Sequence, residues 1–255
     1  MDMRAEVWSP LQNSAVWLGA WLHGHEPADE LIDALTELGG YPEAYGSAAF
    51  SDILARLRAA TDALLGQGPG EPVLRLVLSG PGEPPALPAG STSAAAASAS
   101  PAGAIVVRTA DPGVHLVLVP HAGPNYTQWK LIEEAQPLPA PAWLSPGEAD
   151  ALLAQATEES ARIIEGLDYV KKDLPNPRLT VGTLSDFYDT PGLPDATPPR
   201  AAKLFARADR VAAIIETVTD RLQDHSLDPQ LLRLWRHIRQ ARMAGVAYAV
   251  ADFGR

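Results

Sequence analysis

AIVVRTADPGVHLVLV, from Ala104 to Val119, is the stretch on which the fold turns. Two runs rich in Val, Ile and Leu flank Ala110-Asp111-Pro112-Gly113, whose chemistry suits a turn. A connection this short implies antiparallel pairing, because a parallel return needs a crossover of a dozen residues or more. The stretch is a hairpin.

Working outward, Val73 to Leu78 and Tyr126 to Glu134 have the same composition, with Gly, Pro or Asn at their borders. Together with the hairpin they predict a small antiparallel sheet of about four strands. Alternation puts Leu74, Leu76, Leu78, Leu116, Leu118, Trp129 and Leu131 on one face. Arg75, Arg108, His115 and Lys130 share the other with Val106, Val117 and Val119. Between the first two strands lies the Pro/Ala/Ser/Gly stretch 80–103, which carries too little apolar area to offset ordering and is expected to be a mobile loop.

Beyond the sheet the period is helical. Ser9-Pro10 is an N-cap followed by a first-turn proline, with Gly24 as the stop. Further helices are expected over Pro27–Leu38, before Gly39-Gly40, and over Ala48–Leu65. Ser145-Pro146-Gly147-Glu148 fits a capping box and opens a helix reaching about Gly166. The stretch Leu174–Pro199, broken by prolines, is expected to be irregular. Arg200–Leu222 and Pro229–Val250 then close the chain as a helical hairpin. The fold class is α+β: mainly amphipathic helices around a small antiparallel sheet. Its segments are a helical 1–66, a sheet 67–136 and a helical 137–255, in one compact domain or two tightly packed ones.

At 255 residues and 46% hydrophobic content the chain can build its core without covalent staples. It has no cysteine, which removes disulfides, thiolate metal sites and cysteine nucleophiles. The apolar stretch Ala15–Leu22 is too short to span a membrane, and no basic cluster precedes it. A cytoplasmic protein is the expectation. Few lysines amid abundant Ala and Pro are the bias of a GC-rich bacterial genome.

The net charge of −11 argues against general nucleic-acid affinity. Its distribution is uneven, however. Ten basic and six acidic residues lie from Arg200 onward, against ten and twenty-five before it. The basic end either packs on the acidic remainder or meets an anionic partner.

No phosphate-binding loop, zinc-protease motif, nucleophile elbow or dinucleotide fingerprint is present. His23, His25 and Glu26 are the best metal-ligand set, since imidazole and carboxylate suit zinc, iron or manganese. The alternative is a polar turn at a helix end, with an imidazole near the helix C-terminal carbonyls. His115 and His121, six residues apart on one strand, stand about 20 Å apart and share nothing. The sheet face bearing Arg75, Arg108, His115 and Lys130 is half aliphatic and half basic, which suits a protein partner or self-association, unless helices of the same chain cover it. The leading expectation is a non-enzymatic interaction, adaptor or regulatory protein. The competing one is a metal-dependent or carboxylate-based hydrolase centred on His23, His25 and Glu26. No catalytic set or cofactor follows from the sequence.

Arg233, Arg236, Arg239 and Arg242 resemble a basic stripe, but steps of three turn each by about −60° from the last. Arg242 falls inside the apolar arc of its helix, so it should be buried against a carboxylate or several carbonyls of the acidic body.

Overall fold

The first helix, α1 (Pro10–Leu22), begins as its capping chemistry requires: the Gln12 N–H donates to Ser9 Oγ at 3.2 Å, and Pro10 stands in the first turn. The computed structural model describes residues 9–46, 49–65, 67, 70–81, 83–141, 143–166, 192–222 and 228–255. After α1 come α2 (Ala28–Gly39), β1 (Tyr41–Ala44), α3 (Phe50–Leu65), β2 (Leu74–Val77), α4 (Thr92–Ala99), β3 (Ala104–Arg108), β4 (His115–Ala122) and β5 (Tyr126–Glu134). Three long helices follow: α5 (Pro146–Gly166), α6 (Pro199–Leu222) and α7 (Asp228–Phe253). Most of the stretch expected to be irregular, and His225, lie outside the described residues.

The sheet runs β1-β5-β4-β3-β2. The expected hairpin is β3–β4, and β2 to β5 pair antiparallel throughout. The expectation of about four strands, all antiparallel, is corrected: there are five, and β1 pairs parallel with β5, Tyr41 opposite Tyr126. The four residues of β1 include Pro42 and are too few to show alternation. Tyr41 N–H donates to Asn125 O and Tyr45 N–H to Trp129 O, so Pro42 sits where its missing N–H faces the outer edge and blunts it. Gly40 brings the chain in with φ +83°, and a Cβ there would collide with the Asn125 carbonyl.

The leucine-bearing face of the sheet packs with α1, α2, α3 and the C-terminal half of α7 in the main core, which includes Leu74, Leu76, Ile105, Val107, Leu116, Leu118, Val246 and Val250. A second core joins α5, α6 and the N-terminal half of α7 around Leu153, Leu204, Leu234 and Ile238. α7 thus belongs to both. Gly245 lets it close on α6, because a Cβ there would run into the Phe205 ring.

The stretch 80–103 is not the structureless loop expected of its composition. Its second half forms α4, capped by Ser91 through the Ala94 N–H at 3.1 Å, with Ser93 and Ala97 fully buried. A run of alanine and serine has good helix propensity but no apolar stripe, so its fold depends on what it covers. α4 and Leu87 cover the second sheet face, burying Val77, Ala104, Val106, Val117 and Val119 in a third core.

Candidate functional site

Register places Arg75, Arg108, His115 and Lys130 on one face. Arg75 lies opposite Val106, Arg108 opposite His115, and Lys130 opposite Val119. The aliphatic half of that face is no surface, since Val117 and Val119 are wholly buried under α4. Of its polar residues, His115 lies opposite Glu134, which is a buried anchor. Ser93 Oγ donates to Glu134 Oε2 at 2.5 Å, and the Gln136 N–H donates to Oε1 at 3.0 Å. Burial pushes the Glu134 carboxyl up, but these donors, Ser91 and the neighbouring His115 outweigh it and hold it below its ordinary value. His115 is depressed by burial and by Arg75 and Arg108, with Glu134 opposing. Arg108 is held at Glu71, donating to its carbonyl at 2.9 Å. The Lys130 ammonium stands 5.5 Å from the Tyr45 ring.

His23, His25 and Glu26 lie in the turn after α1. There His25 Nε2 is 2.9 Å from the Phe253 carbonyl at the end of α7, and both imidazoles tilt against the Phe253 ring. Burial and the adjacent His25 lower the His23 pKa. Among the described residues no three His, Asp or Glu side chains converge to hold a metal ion. His25 thus meets a carbonyl at the end of another helix, α7, while His23 Nε2 is buried with no hydrogen-bond partner among the described residues.

Sequence reasoning did not single out a cleft of about 1120 Å³ where the start of α5, one flank of α6, the end of α7 and residues 70–72 meet. α6 supplies Arg200, Lys203, Arg207 and Arg210 to it. Steps of three, four and three hold these within about 80° of arc, so all four share one edge of the helix. Trp143, 56% exposed, and Tyr248 of α7 contribute aromatic surface. Two carboxylates also line the cleft, and both are engaged: Asp150 with Arg207 at 3.0 Å, and Glu71 with Arg108 at 3.6 Å. Arg200, Lys203 and Arg210 have no carboxylate partner among the described residues. The 3-4-3 spacing was readable in the sequence. That it borders a cleft was not, because the other walls come from distant segments.

An α+β chain whose sheet is covered on both faces, with a basic cleft among its C-terminal helices, finds its relatives among mycobacterial proteins. The chain belongs to the Rv1486c-like protein family, whose N-terminal domain matches residues 12–143 and whose C-terminal domain matches residues 147–243. It is similar to the uncharacterized proteins Rv1486c of Mycobacterium tuberculosis, 26% identical over 285 residues, and ML1804 of Mycobacterium leprae, 26% identical over 289 residues. These alignments cover 94% of this chain and 96% and 97% of the two relatives. No solved structure matches the chain.

Proposed function

We propose that the protein is a non-enzymatic interaction protein, an adaptor or regulator, that engages a protein partner through the cleft beside α6 rather than through the sheet. One observation carries this reading: a large exposed aromatic, Trp143, beside three cations with no carboxylate partner among the described residues. Exposed apolar area next to cationic groups is what a binding surface presents, and the rest of this acidic chain has reason to keep such groups paired. The sheet face is set aside because α4 lies on it. The hydrolase alternative loses support because His25 Nε2 is already held by the Phe253 carbonyl. No described helix is long and apolar enough to cross a membrane, and this, with the lack of cysteine, favours a cytoplasmic site of action. Nucleic acid is disfavoured as the partner by the overall charge.

Proximity labelling in the source cell tests the proposal, comparing the wild-type chain with Trp143→Ala/Arg200→Glu expressed at equal level. The expected result is at least one neighbour labelled by the wild type and lost in the variant. An identical labelling pattern for the two chains would remove the cleft as the working surface.

A further inference from the structure

The reading of the cleft as a docking surface leaves its occupant open, and the lining narrows it. Resting on that reading, we infer that the cleft takes an acidic segment of a partner protein, extended and carrying an aromatic or branched apolar side chain among its carboxylates.

Charge complementarity is the first argument. Among the described residues four cations and two carboxylates line the cleft, and the carboxylates are already engaged by Arg207 and Arg108. The cleft is therefore a positive island on a chain of net charge −11. Such an island attracts a short anionic segment, while the surrounding field repels a long polyanion.

Shape is the second. The cations do not converge on one point, as they would around a single phosphate or a lipid carboxylate. From Arg200 to Arg210 they follow α6 over about 15 Å, a distance that four or five extended residues cover. Carboxylates on alternate residues of such a segment recur about every 7 Å, so three of them span roughly the same 15 Å over which the four cations rise in steps of about 4.5 to 6 Å. The floor is apolar: Trp143, Leu144, Pro146, Ala247 and Tyr248 border the same space. It gives an intervening aromatic or branched side chain somewhere to go.

The test is an anisotropy titration of the full chain with a fluorescein-labelled octapeptide that alternates acidic residues with Leu and Phe. A second peptide carries Asn and Gln in place of the acids. The acidic peptide should bind at least about tenfold more tightly, and less so as NaCl rises from about 50 mM to about 300 mM. Lys203→Glu/Arg210→Glu should weaken the acidic peptide about tenfold without altering the urea unfolding midpoint. Trp143→Ala should weaken both peptides alike, since it removes contact area and no charge. Equal affinity for the two peptides, or indifference to the charge reversal, overturns the inference. So does binding of dodecanoate where the peptide fails, which would make a small amphipathic acid the occupant. A dimer in light scattering that the charge reversal dissolves overturns it as well, in favour of a second copy of the chain. If any of these results appears while the Trp143→Ala/Arg200→Glu variant still loses its neighbour in the cell, the interaction reading stands and only the chemistry of the occupant is wrong.

Discussion

α7 carries four cations at helix-like spacing and α6 lends four of its five to the cleft, and the molecule uses the two sets in opposite ways. On α7 the steps of three carry successive arginines around the cylinder. Arg233 and Arg236 have side chains 60% and 62% exposed, Arg239 is 12% exposed, and Arg242 is 1% exposed. Every one of them meets a carboxylate of its own chain: Glu159 for Arg233, Glu83 for Arg236 and Arg239, and Asp209 for Arg242. On α6 the 3-4-3 spacing keeps the cleft's four cations on one edge, and among the described residues only Arg207 of these four reaches an acid. The surplus of basic residues in the C-terminal part is thus divided. One part of it ties the chain together, and another faces a cleft. Net charge could not have separated the two, whereas spacing around the helix does.

If α7's arginines are structural, removing the most buried one should cost most. Arg242 donates to Asp209 Oδ1 at 2.7 Å, with a guanidinium that cannot shed its proton at any working pH. Arg242→Ala removes the charge that Asp209 faces and opens space beside α6, so urea unfolding should show a loss of about 3 kcal/mol or more. Arg242→Met combined with Asp209→Leu should recover most of that loss. A single variant as stable as wild type would show that the pair contributes nothing to holding α6 against α7. The sequence argument foresaw the burial and left the partner open between a carboxylate and several carbonyls of the acidic body. The partner is a carboxylate, and Asp209 belongs to the basic segment itself.

One turn earlier, Arg239 pins the stretch leading into α4. Its Nε and Nη2 both donate to Glu83 Oε2, at 3.1 and 2.8 Å, and Gly80 gives the guanidinium room. The pair is partly open to solvent, so Arg239→Ala should cost about 1–2 kcal/mol, less than Arg242→Ala. Faster proteolysis within 80–90 in Arg239→Ala than in wild type would show that the lost stability is local to this stretch. An unchanged cleavage rate would show that Glu83 does not anchor it.

The parts of the fold readable from sequence were those where local chemistry and period agree. Ala110-Asp111-Pro112-Gly113 dictates a hairpin, and period-two alternation fixed which residues share a face, so Arg75 and Arg108 lie together as expected. The Ser145–Glu148 capping box forms with both of its hydrogen bonds, at 2.8 and 3.2 Å. Where tertiary partners decide, the reading failed. β1 is four residues long and takes as its partner a strand more than eighty residues away, and no local signal encodes that pairing. α4 is an alanine-serine run anchored by residues distant in sequence, Ser93 at Glu134 and its C-cap Ser100 at the Pro120 carbonyl. The cleft is likewise a product of distant segments. Its basic edge was written in the spacing of α6, but Trp143 sits in a proline-rich connector where nothing marks an exposed aromatic.

Mild acidification should weaken the fold through its histidines. His23, His115, His121 and His237 are all held below the ordinary value of 6.5, each chiefly by burial. A depressed histidine takes up its proton more readily in the unfolded chain, so its stabilising contribution is present above about pH 6.5 and is lost as pH falls through the folded value. Urea midpoints should therefore be lower at about pH 5.5 than at about pH 7.5. His115→Gln should reduce that difference, because Arg75 and Arg108 add to burial in opposing its charge while Glu134 only partly offsets them. A pH slope unaltered by His115→Gln would place the effect at the other histidines.

The smallest expected effect is the most telling for the comparison. Lys203→Ala and Arg210→Ala remove exposed cations that make no ion pair among the described residues, so each should change stability by no more than about 0.5 kcal/mol in either direction. Both substitutions also raise local helix propensity slightly or leave it unchanged, which further limits any loss. If the fold is indifferent to these charges, their grouping on one helix edge is not explained by stability. An external ligand then becomes the reason to look for, and stability and binding should respond to different cations: α7's to the first, α6's to the second. A loss of about 1 kcal/mol or more from Lys203→Ala or Arg210→Ala would instead mean that the chain itself supplies a partner to this edge, and the two helices would then not differ in kind.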